Sequence, residues 1–265
     1  MRVVVADNAA HPIARQWIEA TARDLALDIA YVHAPARNIS IARNACLDAA
    51  KAEWLAFIDD DETASPAWLN ALLCEAKRGD WDAVLGPVQA VYSQSAPAWI
   101  RAGDFHSTSP VFVRGRIETG YTGNVLIRRA AIAREALRFR TELGRSGGED
   151  EDFFNRLREA GGRIGFARSA LAYETVPAER TTLHWLIQRS FRAGQTYGAR
   201  LRARSNGTLG RGRALAIATA KAGACAVGAL THLPLPAQRN RFLTRAALHC
   251  GVVARLAGLK EVKLY

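Results

Sequence analysis

A short, fully apolar run that ends in four consecutive acidic residues limits the folds open to this chain. The run is Trp54–Ile58, and Asp59, Asp60, Asp61 and Glu62 follow it directly. A continuous apolar segment of this length is typical of a strand buried on both faces, as in a parallel sheet. Four adjacent carboxylates repel one another unless a cation or a proton lies between them. The run therefore predicts a buried strand whose carboxyl end carries a charged site.

Strand and helix patterns alternate through the first third of the chain. The predicted strands are Val3–Ala6, Ile29–His33, Trp54–Ile58 and Ala83–Gly86, with helical patterns between them. This alternation indicates an α/β fold, in which ligands bind beyond the carboxyl ends of the strands. Asp7 and the residues after Ile58 lie at such ends.

The chain after residue 87 carries fewer regular signals. Val88–Glu118 loses periodicity, which predicts a loop that shapes a pocket. Beyond it we expect a strand at Gly123–Ile127, a helix at Asp150–Ala160 and one or two strands within Ile164–Ala172.

The charge distribution divides the chain into two regions, 1–177 and 178–265. Residues 176 to 265 contain fifteen Lys and Arg but only two acidic residues, whereas the rest is nearly neutral. Thr181–Arg204 fits a basic amphipathic helix, which would lie on an anionic membrane surface or on the flank of the first region. We expect Arg189, Arg192 and Arg200 to contact the lipid. Residues 214–233 reach spanning length, but their alanines, glycines and Lys221 make them a poor transmembrane candidate.

Several classes of protein are disfavoured by what the sequence lacks. The basic region has no zinc-finger spacing or aromatic nucleic-acid motif, so we expect no nucleic acid partner. Four widely spaced cysteines without a CxxC pair argue against disulfides or zinc and fit a reducing cytosol. Asp7 follows too few apolar residues for a signal-peptide core, so the predicted location is cytoplasmic.

The first acidic cluster, Asp59–Glu62, predicts a metal site. Mg²⁺ and Mn²⁺ prefer carboxylate oxygens beside substrate phosphates. Side chains alternate in an extended segment, so Asp59 and Asp61 point to one side. We expect Asp61 to bind the metal and Asp59 to bind a ribose or support the metal. The ordinary alternative is a solvated turn or a cap for the next helix.

A helix for which Ser40, preceded by Asn38, is the predicted N-cap carries Arg43 and Asn44 in its first turns. A guanidinium near a helix N-terminus favours anions, so these two residues are placed to contact a phosphate or to brace the loop. A surface arginine is the alternative for Arg43.

The second acidic cluster, Glu149–Asp152, follows Gly147 and Gly148 and opens a predicted helix. The helix dipole stabilises acidic side chains at a helix N-terminus, but capping would account for one acidic residue rather than four. A carboxylate at the mouth of a pocket is the simplest general base for a hydroxyl. We predict Asp150 as that base, with Asp152 as its competitor.

An ordered set of motifs gives the chain a resemblance to a known family. The motifs are VVVADN, ARNACLDAA, WLAFIDDDE, YTGNVLIRR, GGEDEDFFNRL and YETVPAERTTLHWLIQRSFRAG. Over roughly residues 1 to 200 the chain resembles the family 2 glycosyltransferases of the GT-A fold. Among these it is most similar to bacterial enzymes of exopolysaccharide assembly, the succinoglycan-type glucosyltransferases.

The resemblance implies a GT-A-like, Rossmann-related mixed sheet flanked by helices, followed by a basic helical tail. It implies inverting transfer of a sugar from a nucleotide-sugar donor, with UDP expected, to a saccharide or lipid-linked oligosaccharide at the inner face of the cytoplasmic membrane. The implied metal is Mg²⁺ or Mn²⁺. The resulting site prediction comprises donor residues Asp7, Arg43, Asp59 and Asp60, metal ligands Asp61, Asp59 and Glu174, acceptor residues Gly123, Asn124 and Glu149, and base candidates Asp150 and Asp152.

Two departures from the family pattern accompany the resemblance. Family members normally have a further strand and helix ahead of the segment matching VVVADN, so we expect either coding sequence upstream or an incomplete donor site. The other departure is Glu174, where many relatives place a histidine near the metal. Glu174 either replaces it as an oxygen ligand or pairs with an arginine such as Arg180.

Two other functions compete with this interpretation. A nucleotidyltransferase also binds metal with paired aspartates, but it usually needs a glycine-rich phosphate loop near its start. The second alternative is an inactive protein that binds membranes through its basic region.

Overall fold

The computed structural model describes residues 1–145, 147–205 and 207–260 and divides into two compact units. The first unit comprises Met1–Gln89 and Thr108–Tyr173, and the second comprises Ala90–Ser107 and the described chain from Glu174 onward. The second unit therefore includes a segment of the middle of the chain besides the basic region predicted from residue 178.

Strands and helices alternate along the first unit. The strands, two of which cross the division between the units, are β1 Val3–Asp7, β2 Ile29–His33, β3 Trp54–Ile58, β4 Glu62–Ala64, β5 Ala83–Leu85, β6 Val88–Val91, β7 Phe112–Val113, β8 Arg116–Ile117, β9 Asn124–Arg128, β10 Ile164–Phe166 and β11 Ala172–Thr175. The helices are α1 Arg15–Asp24, α2 Ile39–Ala49, α3 Trp68–Arg78, α5 Arg129–Arg134 and α6 Glu149–Glu159.

The main sheet is mixed, as the resemblance implied. Its strand order is β10-β5-β9-β3, with β9 antiparallel to both neighbours and β10 parallel to β5. Separate sheets are formed by the parallel pair β1-β2, by β4-β11-β6 and by the hairpin β7-β8. The predicted α/β class is confirmed.

The environment predicted for β3 is wrong. Trp54–Ile58 pairs antiparallel with β9 and, among the described strands, forms an edge of the main sheet. Ala56 and Ile58 are exposed, while Leu55 is buried. An apolar run alone cannot distinguish a central parallel strand from an edge strand with one covered face, because pairing partners lie far away in sequence.

The region Val88–Glu118 was predicted as one irregular loop and contains more structure than that. It holds β6, the short helix α4 Ala98–Gly103, and the β7-β8 hairpin. These elements are only two to six residues long, too short for a periodic pattern to reveal.

An aromatic core fixes α6 against the sheet. Phe153 and Phe154 on α6 are fully buried and belong to one cluster with Val125 and Ile127 of β9. The Phe139 and Phe153 rings stack with their centroids 4.4 Å apart. Burying each such ring stabilises the fold by about 3 kcal/mol. The second acidic cluster therefore begins a firmly packed helix.

Long helices dominate the second unit. They are α7 Leu183–Arg204, α8 Gly207–Thr231 and α9 Pro236–Leu256, preceded by a short 3₁₀ helix at Ala178–Arg180. α7 packs on α9 through glycines, and α8 packs on α9 through Ala218 and Gly228. Arg241 of α9 donates to the Gly103 carbonyl at 2.7 Å, which ties α9 to α4.

One face of α8 is uncovered in this unit. Leu209, Ile217, Val227 and Leu230 are all exposed. Judged by length and composition only, α8 is long and apolar enough to cross a bilayer. Residues 214–233 were predicted to be a poor transmembrane segment because of their small residues and Lys221, whereas α8 begins earlier, at Gly207, and includes Leu209.

Glycines allow α7 and α9 to approach closely, and we expect their substitution to weaken the second unit. A methyl group at Gly194 would overlap the Leu248 carbonyl oxygen, and one at Gly251 would overlap the Phe191 carbonyl. Gly194→Ala and Gly251→Ala should each lower the free energy of unfolding by about 1–3 kcal/mol in chemical denaturation.

Gly223 on α8 is the matched control, because a Cβ there meets nothing within 4 Å. Gly223→Ala should be neutral or stabilise by up to about 1 kcal/mol through helix propensity. Equal effects at all three positions would contradict the packing explanation.

Candidate active site

Helix α2 is anchored at its start by Asn38 rather than by Ser40. The Asn38 side chain accepts a hydrogen bond from the Ile41 amide at 3.2 Å and donates to the Thr141 carbonyl at 2.8 Å. Ser40 is fully buried, and its hydroxyl has no partner within the described residues. The helix is therefore capped by Asn38, two residues before the predicted cap. The Asn38 amide can both donate and accept a hydrogen bond.

Asn44 braces the loop that leads to α6. Its amide donates to the Phe139 carbonyl at 2.8 Å, and its oxygen accepts from the Phe139 amide at 2.9 Å. Asn44 was predicted either to contact a phosphate or to brace the loop. These two bonds give it the bracing role.

Arg43 connects the two acidic clusters. One guanidinium nitrogen lies 2.5 Å from Glu149 Oε1, and the other lies 3.4 Å from Asp59 Oδ1. The Arg43 and Glu149 side chains are only 12% and 9% exposed. Residues 59 and 149, ninety positions apart in sequence, therefore share one guanidinium.

The first acidic cluster forms a tight turn at the end of β3. The Asp59 amide donates to Glu62 Oε2 at 3.3 Å, while Asp60 and Asp61 are exposed. Burial raises the pKa of Asp59, and the Arg43 charge opposes that rise. Gly123 lies against this turn, since a Cβ atom there would be 2.5 Å from Glu62 Oε1 and 3.3 Å from Asp59 Oδ2. A side chain at position 123 would block the cluster.

The surroundings of Asp150 raise the pKa of its carboxyl group. Burial, and then the adjacent Glu149 charge, raise its pKa to about 6, although Arg43 acts in the opposite direction. Its Oδ1 accepts from the Glu151 amide at 2.7 Å. A carboxylate with this pKa is ionised near neutral pH yet basic enough to receive a proton.

Asp152, the competing base, is held by two arginines. Its Oδ2 lies 2.9 Å from Arg156 Nε, and its Oδ1 lies 3.3 Å from Arg140 Nη1. Both oxygens are thus engaged in ion pairs and are occupied by arginines rather than open to a hydroxyl. The geometry favours Asp150.

Asn124 was predicted to contact the acceptor, but its side chain is used inside the protein. It is fully buried, accepts from Trp68 Nε1 at 2.7 Å, and donates to the Pro87 and Ala170 carbonyls at 2.9 and 2.7 Å. These bonds join β9 to the segments after β5 and before β11. Because every polar group of the amide already has an internal partner, Asn124 positions the backbone beside Gly123.

Asp7 lies at the carboxyl end of β1, where the sequence predicted it. It accepts hydrogen bonds from the Tyr31 hydroxyl at 2.7 Å and from the Ala9 and Ala14 amides at 3.0 and 3.2 Å. These bonds, that of Tyr31 first, lower its pKa. Tyr31 was missed by the sequence analysis because its role depends on the parallel pairing of β1 with β2.

Glu174 belongs to the second unit and pairs with Arg180. Its Oε1 lies 3.4 Å from Arg180 Nη1, which is one of the two alternatives considered for it. Its role as a metal ligand stays a prediction. Within the described residues, no three or more His, Cys, Asp or Glu side chains form a ready metal-binding cluster.

The Arg43 bridge should contribute strongly to stability. Arg43→Met leaves Glu149 buried without its partner, so we expect the free energy of unfolding to fall by about 3–5 kcal/mol. Adding Glu149→Leu should recover most of the loss, since the buried carboxylate that Arg43 paired with is then removed as well. Urea denaturation of the wild type, both single variants and the double variant measures this coupling.

The exposed pair Arg138–Asp48, 2.5 Å apart with side chains 53% and 62% exposed, supplies the control. Arg138→Met should cost at most about 1 kcal/mol. A loss at Arg43 no larger than that at Arg138 would contradict a buried bridge.

Solved structures of other proteins share this fold. S. aureus TarS 1-349 aligns over 92% of this chain and 80% of its own, with a TM-score of 0.52 and 16% identity. GalNAc-T7, solved with UDP, GalNAc and Mn²⁺, aligns over 78% of this chain and 45% of its own, with a TM-score of 0.55 and 12% identity. At these identities the likeness concerns the fold alone.

Sequence comparison is more specific. The profile described as Glycosyl transferase family 2 matches residues 1–136, just over half of the chain. All 265 residues align at 50% identity with a protein of Rhizobium meliloti (strain 1021), Succinoglycan biosynthesis protein ExoM, and cover 85% of its length. A profile match of this extent and a full-length relative at this identity together establish that the chain belongs to glycosyltransferase family 2.

Proposed function

We propose that this glycosyltransferase moves a sugar from a nucleotide-sugar donor, with UDP as the expected nucleotide, to a saccharide or lipid-linked oligosaccharide in cell-surface polysaccharide synthesis. The name of the relative at 50% identity supports the polysaccharide context. The observation that carries the catalytic part is the Arg43 bridge, which joins Asp59 to the start of the helix that bears Asp150.

Asp150 is the general base in this proposal. Its carboxylate takes the proton from the acceptor hydroxyl as that oxygen forms a bond to the anomeric carbon. The bond from the anomeric carbon to the departing diphosphate breaks in the same displacement, so the configuration inverts. One base on the face opposite the leaving group suffices, as in inverting glycosidases.

Arg43 and Glu149 support this base without receiving the proton. The Arg43 guanidinium fixes Glu149 at the first position of α6, and its positive charge limits the pKa of Asp150. Glu149 Oε2 is buried without a hydrogen-bond partner within the described residues. An acceptor hydroxyl donating to that oxygen would satisfy it, which supports the predicted acceptor role of Glu149.

The first acidic cluster fits a metal that arrives with the nucleotide. Mg²⁺ and Mn²⁺ are commonly bound by one or two carboxylates together with substrate phosphates, so a three-carboxylate cluster is unnecessary. The exposed Asp61 would hold the ion, with Asp59 beside it. When bound, such an ion offsets the negative charge that develops on the leaving diphosphate. Among the proteins of similar fold, GalNAc-T7 was solved with Mn²⁺.

The donor nucleotide is assigned to the strand ends that carry Asp7, Asp59 and Asp60. Asp7 is already charged and rigid because of its three hydrogen bonds, a state suited to accept from a base or a ribose. Asp60 is exposed and available for the same purpose. These assignments rest on the resemblance and on the position of both residues after β1 and β3.

The second unit is assigned to the inner face of the cytoplasmic membrane. α8 presents an uncovered apolar face, and the exposed Arg213 and Lys221 lie on the same helix. Arg189 and Arg200, which the sequence analysis favoured for lipid contact, lie 5.4 Å from the Trp185 ring and 5.8 Å from the Tyr197 ring. The apolar face of α8 is therefore the better candidate for contact with the bilayer.

Removing the base should abolish transfer while preserving the fold. Asp150→Asn should lower kcat by about 10²–10⁴-fold, whereas Asp152→Asn should have a smaller effect. Release of UDP from UDP-glucose and other UDP-sugars, with membrane extracts as acceptor, measures the reaction. Release of pyrophosphate would instead indicate a nucleotidyltransferase.

The pH profile and the stability of these variants test the same assignment. With the pKa of Asp150 at about 6, wild-type kcat/KM should fall below pH 6 and level off above pH 7. Since the folded pKa is raised, ionisation of Asp150 destabilises the fold as pH rises from about 4 to 6, so Asp150→Asn should be more stable than wild type at pH 8. An active Asp150→Asn enzyme would refute the base assignment.

Membrane binding should depend on the apolar face of α8. Full-length protein should float with vesicles that contain phosphatidylglycerol. Ile217→Glu combined with Val227→Glu should reduce the bound fraction several-fold, because each charged glutamate would have to be transferred from water into the apolar part of the bilayer. The control is Ile13→Glu combined with Val91→Glu, which changes the same residue types at other exposed positions. Equal losses in both double variants would contradict a specific role for α8.

A further inference from the structure

Helices α8 and α9 of the second unit pack against each other in an antiparallel register. The short segment 232–235 joins them. Ala218 of α8 belongs to one buried apolar cluster with Val252 of α9. Nearer the connection, Gly228 lies against the Phe242 ring, since a Cβ atom at Gly228 would be 2.5 Å from ring carbons. Residues between these two contacts on α8 therefore face residues between them on α9, in reverse order.

Three basic side chains lie in the middle of this seam. Lys221 follows Ala218 by one turn and His249 precedes Val252 by one turn, so the register places Lys221 and His249 at the same level. Arg245 lies one turn before His249 on the same side of α9, because residues four apart on a helix are neighbours. Lys221, Arg245 and His249 together form the seam cluster.

The seam cluster contains positive charges without a counter-charge. Neither α8 nor α9 contains an acidic residue. Lys221 and Arg245 are exposed, and within the described chain neither forms an ion pair. Burial, and then the charges of Lys221 and Arg245, lower the pKa of His249, so both charges lie near its ring. Positive groups held this close repel one another, and an anion placed among them would remove that repulsion.

The seam cluster adjoins the uncovered apolar face of α8. The exposed Ile217 precedes Lys221 by one turn on the same side of the helix. A ligand at this position therefore meets basic groups and an apolar surface together. Guanidinium and ammonium groups bind phosphate well, and an anionic phospholipid joins a phosphate to apolar chains. Inorganic phosphate would match the charges alone.

We propose that the seam cluster binds the headgroup phosphate of an anionic phospholipid, whose acyl chains lie along the apolar face of α8. The proposal rests on the assignment of α8 to the membrane and adds the lipid class that this contact selects. It assigns the selectivity to α8 and α9 rather than to Arg189 and Arg200 of α7, which lie over aromatic rings.

Flotation of the full-length protein with two kinds of vesicle tests the site. One kind is phosphatidylcholine alone, and the mixed kind also contains phosphatidylglycerol. Wild type should bind the mixed vesicles at least about tenfold more tightly. The seam variant, Lys221→Ala with Arg245→Ala, should bind the mixed vesicles at least about tenfold more weakly than wild type and the phosphatidylcholine vesicles within about twofold of it.

Thermal unfolding of the seam variant without lipid distinguishes ligand binding from a structural role. Both changed side chains are exposed, and their charges repel in the free protein, so the melting temperature should stay the same or rise. A lower melting temperature together with weaker binding to both kinds of vesicle would indicate a structural role and overturn the proposal.

The matched control is Arg101→Ala with Lys260→Ala, which removes one exposed arginine and one exposed lysine elsewhere in the second unit. It should change binding to mixed vesicles by less than about threefold. The proposal is overturned if this control loses as much as the seam variant, or if wild type binds both kinds of vesicle equally. Calorimetric binding of inorganic phosphate alone at millimolar concentration, if lost in the seam variant, would assign the site to free phosphate and overturn the lipid.

The apolar-face variant, Ile217→Glu with Val227→Glu, separates this proposal from the membrane assignment on which it rests. It should weaken binding to both kinds of vesicle, whereas the seam variant should weaken binding to the mixed kind only. Wild type that floats with neither kind would overturn both the assignment and the site. Wild type that floats with both kinds equally would overturn the site alone.

Discussion

The first unit is organised around a single guanidinium that two carboxylates share. Without Arg43, Glu149 at the start of α6 would be a buried carboxylate without its partner beside Asp150, and Asp59 at the end of β3 would lose its counter-charge. An uncompensated buried charge is strongly destabilising. With Arg43 present, one guanidinium pairs with both carboxylates. This bridge holds the end of β3 close to the start of α6. Residues from distant parts of the chain, Asp59 and Glu149, are held together by this bridge.

The bridge is supported by contacts between uncharged side chains, and the Phe139 ring also lies 5.7 Å from the Arg43 guanidinium. The stacked rings of Phe139 and Phe153 hold α6 to the segment around Phe139. The two hydrogen bonds between Asn44 and Phe139 hold α2 to that segment as well. Each contact tolerates little displacement, since buried amides must keep their partners. The raised pKa of Asp150 is thus produced by a rigid environment in which burial and a neighbouring carboxylate outweigh one positive charge.

Local features of the fold followed from the sequence, while long-range pairings did not. The bounds of β2 and β3 agree with the predicted runs, and α6 begins one residue before its predicted start. These elements depend on nearby residues, through apolar runs, glycines and the helix dipole. The antiparallel pairing of β3, the internal role of Asn124 and the inclusion of Ala90–Ser107 in the second unit depend on partners many residues away.

The candidate site shows the same division. Asp59 and Asp150 were found from local clustering of acids, because such density is unusual without a chemical role. The link between them was not found, since a pair 106 residues apart, Arg43 and Glu149, leaves no local pattern. Asn38 was passed over as a cap in favour of Ser40, although both are good capping residues. Only the Thr141 carbonyl, far along the chain, distinguishes them.

The hydrogen bonds from α2 to Phe139 and Thr141 also determine when during synthesis this site can exist. The amino-terminal β1-α1-β2-α2 segment leaves the ribosome roughly a hundred residues before Thr141, Phe139 and Glu149, which are the distant partners of Asn38, Asn44 and Arg43. A nascent chain arrested before residue 149 therefore carries the first acidic cluster without its counterpart. The Arg43–Glu149 ion pair can form only after α6 has been synthesised.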